Sequence, residues 1–226
     1  MHRGVLTRSV LLLGGTGLVG SHVLRLLSVD PAFDRIVVLT RRPLSPELVH
    51  GSVDARVVDF DNLSAHASLF AVHQIICALG TTIRQAGTQQ AFRRVDFDYP
   101  LTAARLGAER GATHFLLVSS IGANARSRVF YSRVKGELED AVLALSYRSV
   151  TIVRPSLLLG PRAEYRLGEQ IAKRLGFLLP SKYKPIGAHA VAAALVHAAK
   201  ADLPGRRIVE SPEIRAMARS EADLLG

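Results

Sequence analysis

Leu11-Leu12-Leu13-Gly14-Gly15-Thr16-Gly17-Leu18-Val19-Gly20 is an apolar run that ends in a glycine-rich turn and opens into a helix-like stretch from Ser21 to Ser28. In a strand–turn–helix unit of this kind, Gly14 allows the tight turn off the strand. Gly17 lets the backbone approach a phosphate with no Cβ in the way, and Gly20 lets the helix pack closely on the sheet. The free N–H groups that open the helix, aided by its dipole, then suit an anion such as the pyrophosphate of a dinucleotide. Thr16, Leu18 and Val19 complete the expected cradle. A glycine string alone also fits a tight turn with no ligand, so the rest of the chain has to decide.

Outward from this turn, short apolar runs alternate with helical stretches. Strands are expected at Val10–Leu13, Arg35–Thr40, Ala55–Asp59, His73–Leu79, His114–Ser119 and Ser149–Val153. Helices are expected near Leu18–Ser28, from Gln89 to Arg110 with a kink or restart at Pro100, and over Tyr131–Leu145. The strands are apolar throughout rather than alternating, which implies a sheet covered on both faces; strands interleaved with helices imply parallel order. The fold class is therefore α/β, a doubly wound parallel sheet. Ligands on such sheets sit beyond the carboxyl ends of the strands. After Pro155 the pattern loosens. Glu164–Leu175, Ala188–Ala199 and Glu213–Leu225 read as helices, and Gly176–Pro185 and Asp202–Gly205 as loops. The whole of 1–226 is read as one domain, with 155–226 as a small C-terminal cap over the pocket.

Composition sets outer bounds. The 226 residues, 48% of them apolar, suffice for one sizeable core. The single Cys77 cannot form an internal disulfide, and the opening Met1-His2-Arg3-Gly4 does not read as a secretion signal. A cytoplasmic location is the expectation. The net charge of +10 raises the question of nucleic acid or an anionic membrane. The arginines are scattered with no long basic block, so no nucleic-acid partner is expected. Lys173–Lys184, around Phe177-Leu178-Leu179, mixes apolar and basic residues as an interfacial helix does, but on its own it does not outweigh the glycine turn. A homo-oligomer is left open. The eight histidines are dispersed without ligand spacing, so no metal is expected.

Several residues at the expected strand ends bear chemistry. Strand two ends in Thr40-Arg41-Arg42, where a carboxylate would receive an NAD ribose hydroxyl. Two guanidiniums suit a 2′-phosphate instead, which indicates NADP(H); a solvated loop pair is the alternative. Asp59 is placed either to accept a hydrogen bond from an adenine amino group or to cap the helix entry that follows. Ala78, Leu79 and Gly80, small or apolar, follow strand four and would let backbone lie along a cofactor, while Cys77 reads as a small buried hydrophobe. Tyr131 and Lys135 lie four residues apart on one helix face. An ammonium beside a phenol stabilises the phenolate, which fits the tyrosine for acid–base work. Ser120, with Ser119 as its rival, is placed to hold a substrate oxygen.

Together these motifs resemble the atypical branch of the short-chain dehydrogenase/reductase superfamily, and within it the small oxidoreductases related to Tat-interacting protein. The resemblance rests on GGTGLVG (Gly14–Gly20), TRR (Thr40–Arg42), CALGTT (Cys77–Thr82) and RVDFDYP (Arg94–Pro100). It continues through LLVSSIGAN (Leu116–Asn124), YSRVKGELE (Tyr131–Glu139) and VRPSLLLGPRAEYRLGE (Val153–Glu169). It implies a Rossmann-type fold that binds NADP(H), with Ser120, Tyr131 and Lys135 in the catalytic positions. It also implies that Arg154, Pro155, Ser156 and Leu157 border the nicotinamide, and that Arg162, Glu164, Arg166, Gly168 and Glu169 form a subgroup motif. Many relatives place an asparagine in the mid-sheet helix as a fourth catalytic member; here the matching position is Asp96. The expected activity is hydride transfer to or from a small carbonyl or alcohol. The alternative is a regulatory or redox-sensing protein that binds NADP(H) with little turnover.

Overall fold

The structure is a computed structural model that describes residues 8–49, 51–159 and 180–225. Seven parallel strands form one sheet: β1 (Arg8–Leu13), β2 (Phe33–Thr40), β3 (Val53–Val57), β4 (Gln74–Cys77), β5 (His114–Val118), β6 (Ser149–Arg154) and β9 (Gly205–Glu210). Their order across the sheet is β3-β2-β1-β4-β5-β6-β9, and a short pair, β7 (Leu158–Leu159) and β8 (Ile186–Gly187), stands apart. The order reverses between β1 and β4, the place where a doubly wound sheet opens a crevice at its carboxyl edge.

Both faces of the sheet are buried, which is why its central strands are apolar on both sides beyond the polar residues that open them, Arg8-Ser9, Gln74 and His114. Val10 and Leu12 of β1 point into a core shared with α1 (Leu18–Val29), α6 (Ala188–Ala201) and α7 (Ser211–Leu225). Leu11 and Leu13 point the other way, toward α4 (Tyr99–Glu109), α5 (Phe130–Leu143) and a 3₁₀ segment over Phe60–Phe70. Side chains alternate across a strand, so one apolar run supplies both layers.

Three expectations need correction. The sheet has a seventh strand: the loop read at Asp202–Gly205 gives way at Gly205 to β9, whose first four residues are exposed. As an edge strand it needs little apolar character, and only Val209 is fully buried. The third strand spans Val53–Val57 and not Ala55–Asp59, because Asp59 caps the 3₁₀ segment, its side chain accepting from the Asp61 N–H at 2.9 Å. The long helix expected from Gln89 to Arg110 is interrupted before Pro100 rather than at it. After α3 (Gln89–Arg93), which follows a one-turn α2 (Ile83–Ala86), the backbone widens into a π turn over Arg94–Asp98 and resumes as α4. A proline ring collides with the carbonyl four residues earlier, here that of Asp96, and the widened turn relieves that collision.

The residues expected to form a cap are also part of the main body. Within 180–225, β9 joins the sheet, and Val191, Ala192, Ala194, Leu195 and Ala199 of α6 are buried in the same core, where the helix packs on α1, β5 and β6.

Candidate active site

The glycine turn lies at the switch point. Gly14 adopts φ +85°, a left-handed conformation in which a side chain is strained, and a Cβ there would stand 2.6 Å from the Ala78 carbonyl oxygen. The ends of β1 and β4 thus touch backbone to backbone, and the Ala78 N–H donates to the Leu13 carbonyl at 2.9 Å. A Cβ on Gly20 would stand 2.1 Å from the Gly14 oxygen, so only glycine lets α1 start this close to the turn. Gly17 is the N-cap of α1 and no side chain caps the helix. The first-turn N–H groups of Leu18, Val19 and Gly20 have no intrahelical acceptor and remain available to an anion. Thr16 is exposed at the tip of the turn.

Beside the turn, Arg41 and Arg42 are exposed at the end of β2. Arg41 is near the Tyr99 phenol and favours its ionised form. Burial and the hydrogen bond from Tyr99 to Asp61 (2.8 Å) prevail and push that phenol up. Asp59 is exposed and engaged as a cap. Ala78 and Leu79 are half-buried and Gly80 exposed, forming the opposite wall.

The expected catalytic side chains converge on the next strand ends. Tyr131 enters on the first turn of α5, its ring packed on that of buried Phe92 with centroids 5.5 Å apart. Lys135, one turn on, is buried on the same face. Ser119 and Ser120 follow β5, and the hydroxyl oxygens of both are buried with no hydrogen-bond partner among the described residues. Unpaired buried hydroxyls are uncommon and suit groups that await a substrate. Gly136 locks these pieces together. A Cβ on it would fall 2.1 Å from the Ala125 nitrogen, so α5 lies directly on the loop that follows Ser120, and the Asn124 N–H donates to the Ser132 carbonyl at 2.9 Å. Sequence reading missed this glycine; its position directly after Lys135 was the available signal.

Asp96 completes the cluster. Its Oδ1 lies 2.7 Å from Lys135 Nζ, and its Oδ2 accepts from the Thr81 N–H at 2.9 Å. Burial alone would depress the Lys135 ammonium, yet the Asp96 carboxylate and, less strongly, Tyr131 hold it above its ordinary value. Burial pushes the Asp96 carboxyl up, against the pull of Lys135 and of the Thr81 N–H. Burial likewise raises the Cys77 thiol to about 12, so it stays neutral, as a small hydrophobe does.

The stretch after β6 is used differently from the rest. The Pro155 carbonyl accepts from the Ile121 N–H at 2.9 Å. Ser156 spends its N–H on Ser211 Oγ (2.8 Å) and its hydroxyl on the Lys184 carbonyl (2.5 Å), while Leu157 is exposed. Arg154 forms a paired contact with buried Glu139, whose hydrogen bonds are the main reason its guanidinium is held above its usual range. These groups tie β6 to α5, β8 and α7. The motif residues Arg162, Glu164, Arg166, Gly168 and Glu169, the helix expected over Glu164–Leu175, and Phe177-Leu178-Leu179 lie outside the described residues.

Residues 10–176 match the NAD dependent epimerase/dehydratase family. The chain belongs to that family. It is thus a short-chain dehydrogenase/reductase of a nicotinamide-dependent kind, as its motifs suggested. Among its relatives is Protein HTATIP2 of Rattus norvegicus, 38% identical over 178 residues that cover 78% of this chain and 73% of that protein. Another is "Protein FMP52, mitochondrial" of Debaryomyces hansenii, 31% identical across 96% of this chain and 97% of that one. In the fold, the chain is similar to MoeE5 in complex with UDP-glucose and NAD, with a TM-score of 0.69 and 18% identity over 94% of this chain and 81% of that one. WbmH of Bordetella bronchiseptica in complex with NAD+ gives 0.70 at 13% identity, over 97% of this chain and 81% of that one. The fungal relatives are named as mitochondrial proteins, and this overturns the expectation of a cytoplasmic location. No helix among the described residues is long and apolar enough to cross a membrane.

Proposed function

We propose that this protein is an NADP(H)-dependent oxidoreductase that moves a hydride between the nicotinamide and a small carbonyl or alcohol, with Ser120, Tyr131 and Lys135 as its catalytic residues. The observation that carries the reading is the placement of Tyr131 and Lys135. They sit on the inward face of α5, at the same sheet edge as the open helix N-terminus of the glycine turn. The residues present fit a dinucleotide. Unspent N–H groups at Leu18, Val19 and Gly20 suit the pyrophosphate, and Ala78, Leu79 and Gly80 give a wall with little side chain. Pro155, Ser156 and Leu157 border the far end. Arg41 and Arg42, exposed where an NAD site would offer a carboxylate, support a 2′-phosphate.

The cofactor, when bound, supplies or accepts the hydride. The protein does the rest. Ser120 donates its unspent hydroxyl to the substrate oxygen. Tyr131 gives that oxygen a proton during reduction or removes it during oxidation. Lys135 favours the phenolate that reduction leaves behind. Tyr131→Phe removes the proton donor and keeps the ring on Phe92. With a panel of small aldehydes and ketones, turnover in this variant is expected to fall about 10²–10⁴-fold, the usual worth of a positioned acid, while NADPH binding by titration calorimetry is unchanged. Full turnover in the variant excludes Tyr131 from the chemistry. Tight NADPH binding by the wild type with no oxidation on any substrate favours a cofactor-loaded regulator.

A further inference from the structure

The reaction just described asks of Lys135 a positive charge beside Tyr131, and the structure places an opposing charge against it. Asp96 Oδ1 is 2.7 Å from Lys135 Nζ, and the exposure of the two side chains is 0% and 5%. The carboxylate cannot swing away easily. Its second oxygen is held by the Thr81 N–H, and its backbone is set by the π turn ahead of Pro100. The pair lies directly behind the cofactor wall, since a Cβ on Gly80 would stand 3.5 Å from Asp96 Oδ1 and 3.8 Å from Lys135 Nζ.

Arg93 and Arg133 face Glu137, and Glu139 faces Arg154. From β4 comes Cys77, whose thiol is neutral, and from the loop after β5 come the buried hydroxyls of Ser119 and Ser120. Arg126 and Arg128 of that loop, and Arg94 and Asp98 of the π turn, are exposed, where solvent and salt screen their charge. Among the described residues, the buried charges on the Tyr131 side of α5 are those of Lys135 and Asp96.

We propose that Asp96 is a positioning residue that offsets much of the charge Lys135 presents to Tyr131, limits how far the phenolate is favoured, and biases the site toward giving a proton to a carbonyl over taking one from an alcohol. The proposal rests on the reading of Tyr131 as the acid–base group. In the favoured direction the carbonyl carbon gains a hydride from the reduced nicotinamide and its oxygen gains the Tyr131 proton. This leaves an alcohol, the oxidised nicotinamide and a phenolate that recovers its proton from water. An uncompensated lysine would lower the cost of the phenolate and weaken the acid.

The test is a titration of the cofactor-free protein carrying ¹³C-labelled tyrosine, in which the Tyr131 resonance is the one of five lost in Tyr131→Phe. Asp96→Asn keeps the side-chain shape and an acceptor for the Thr81 N–H. It is expected to lower the Tyr131 ionisation midpoint by about one pH unit relative to wild type. Lys135→Gln is expected to raise the midpoint, and Asp96→Asn/Lys135→Gln to return it to within about 0.3 unit of wild type. The double variant leaves no charge at the pair, so it and Lys135→Gln carry the test if Asp96→Asn does not fold. A midpoint shared by wild type and Asp96→Asn, or a double variant that titrates with Lys135→Gln, overturns the proposal. The readout is ionisation, so these outcomes are separate from those of the turnover assay on Tyr131→Phe.

Discussion

His114 at the amino end of β5 and Lys135 at the carboxyl edge of the sheet are about equally buried, yet the protein treats them in opposite ways. His114 is sealed. Its Nδ1–H donates to Asp202 Oδ1 at 3.1 Å, its Nε2 accepts from the Thr151 hydroxyl at 2.9 Å, and Arg148 holds the other oxygen of Asp202 at 2.6 Å. Burial drives the imidazole down to about 4, so it is neutral near pH 7. Lys135 keeps its charge because Asp96 meets it, and the pair sits behind Gly80 near two serine hydroxyls with unspent hydrogen-bonding capacity. A buried ionisable group therefore does not mark a site by itself. Nor does an unpaired polar atom, since Gln74 Oε1 and Ser149 Oγ on the strands beside His114 are also buried without a hydrogen-bond partner among the described residues. The mark is such capacity at the switch point, beside the glycine turn, where a doubly wound sheet opens its crevice.

The contrast can be broken by substitution. Lys135→Met leaves the Asp96 carboxylate buried without its cation, and the expected loss of unfolding free energy is about 3–5 kcal/mol, read by urea denaturation at pH 7.5. The deficit should shrink on acidification. The folded carboxyl holds its proton more tightly than the unfolded one, so the folded state of the variant gains protons first as the pH falls. A pH-independent deficit would show that Asp96 is not charged in the fold.

Arg41→Ala/Arg42→Ala leaves both buried groups untouched and tests the open end alone. NADPH affinity is expected to drop about 10–100-fold, on the order of one or two charge-assisted contacts, with NADH affinity changed less than about threefold. Equal losses for the two cofactors would mean that the arginines do not read a 2′-phosphate.

The amino end is read through the pH dependence of stability. An imidazole lowered from 6.5 to about 4 takes up a proton in the unfolded chain before it does in the folded one. Its contribution to stability therefore falls as the pH drops from about 6.5 to about 4, and is level above that window. Thermal melts across the range should show a shallower decline in His114→Gln than in wild type. Identical slopes would mean that the imidazole titrates alike in both states.

Much of the carboxyl end was legible in the chain. The glycine turn, Arg41-Arg42 and the Tyr131/Lys135 spacing are local patterns, and local patterns survive folding. What was not legible depends on contacts between distant segments. Asp96 was noticed as a departure from the resemblance, but its pairing with Lys135 requires the π turn, and nothing in Arg94–Asp98 itself signals one; Pro100 suggested only a kink. Strand β9 was missed because Arg206 and Arg207 serve as exposed positions at a sheet edge. Arg206 donates to the carbonyls of Leu143, Leu145 and Tyr147 beyond α5. Ser156 was read as a cofactor contact from the resemblance, and its polar atoms are engaged by Lys184 and Ser211, neither of which is near it in sequence.

The covering of one sheet face by α6 has a consequence for synthesis. Leu116 and Val118 of β5 and Val153 of β6 wait for Val191, Leu195 and their neighbours to arrive. A nascent chain that has emerged only as far as β7 already carries Gly14, Ser120, Tyr131 and Lys135, but it shows that part of its greasy interior to water. Exposed apolar surface makes such a chain aggregation-prone, so nonsense truncation ahead of residue 188 is expected to yield an insoluble polypeptide even though those four residues are all present.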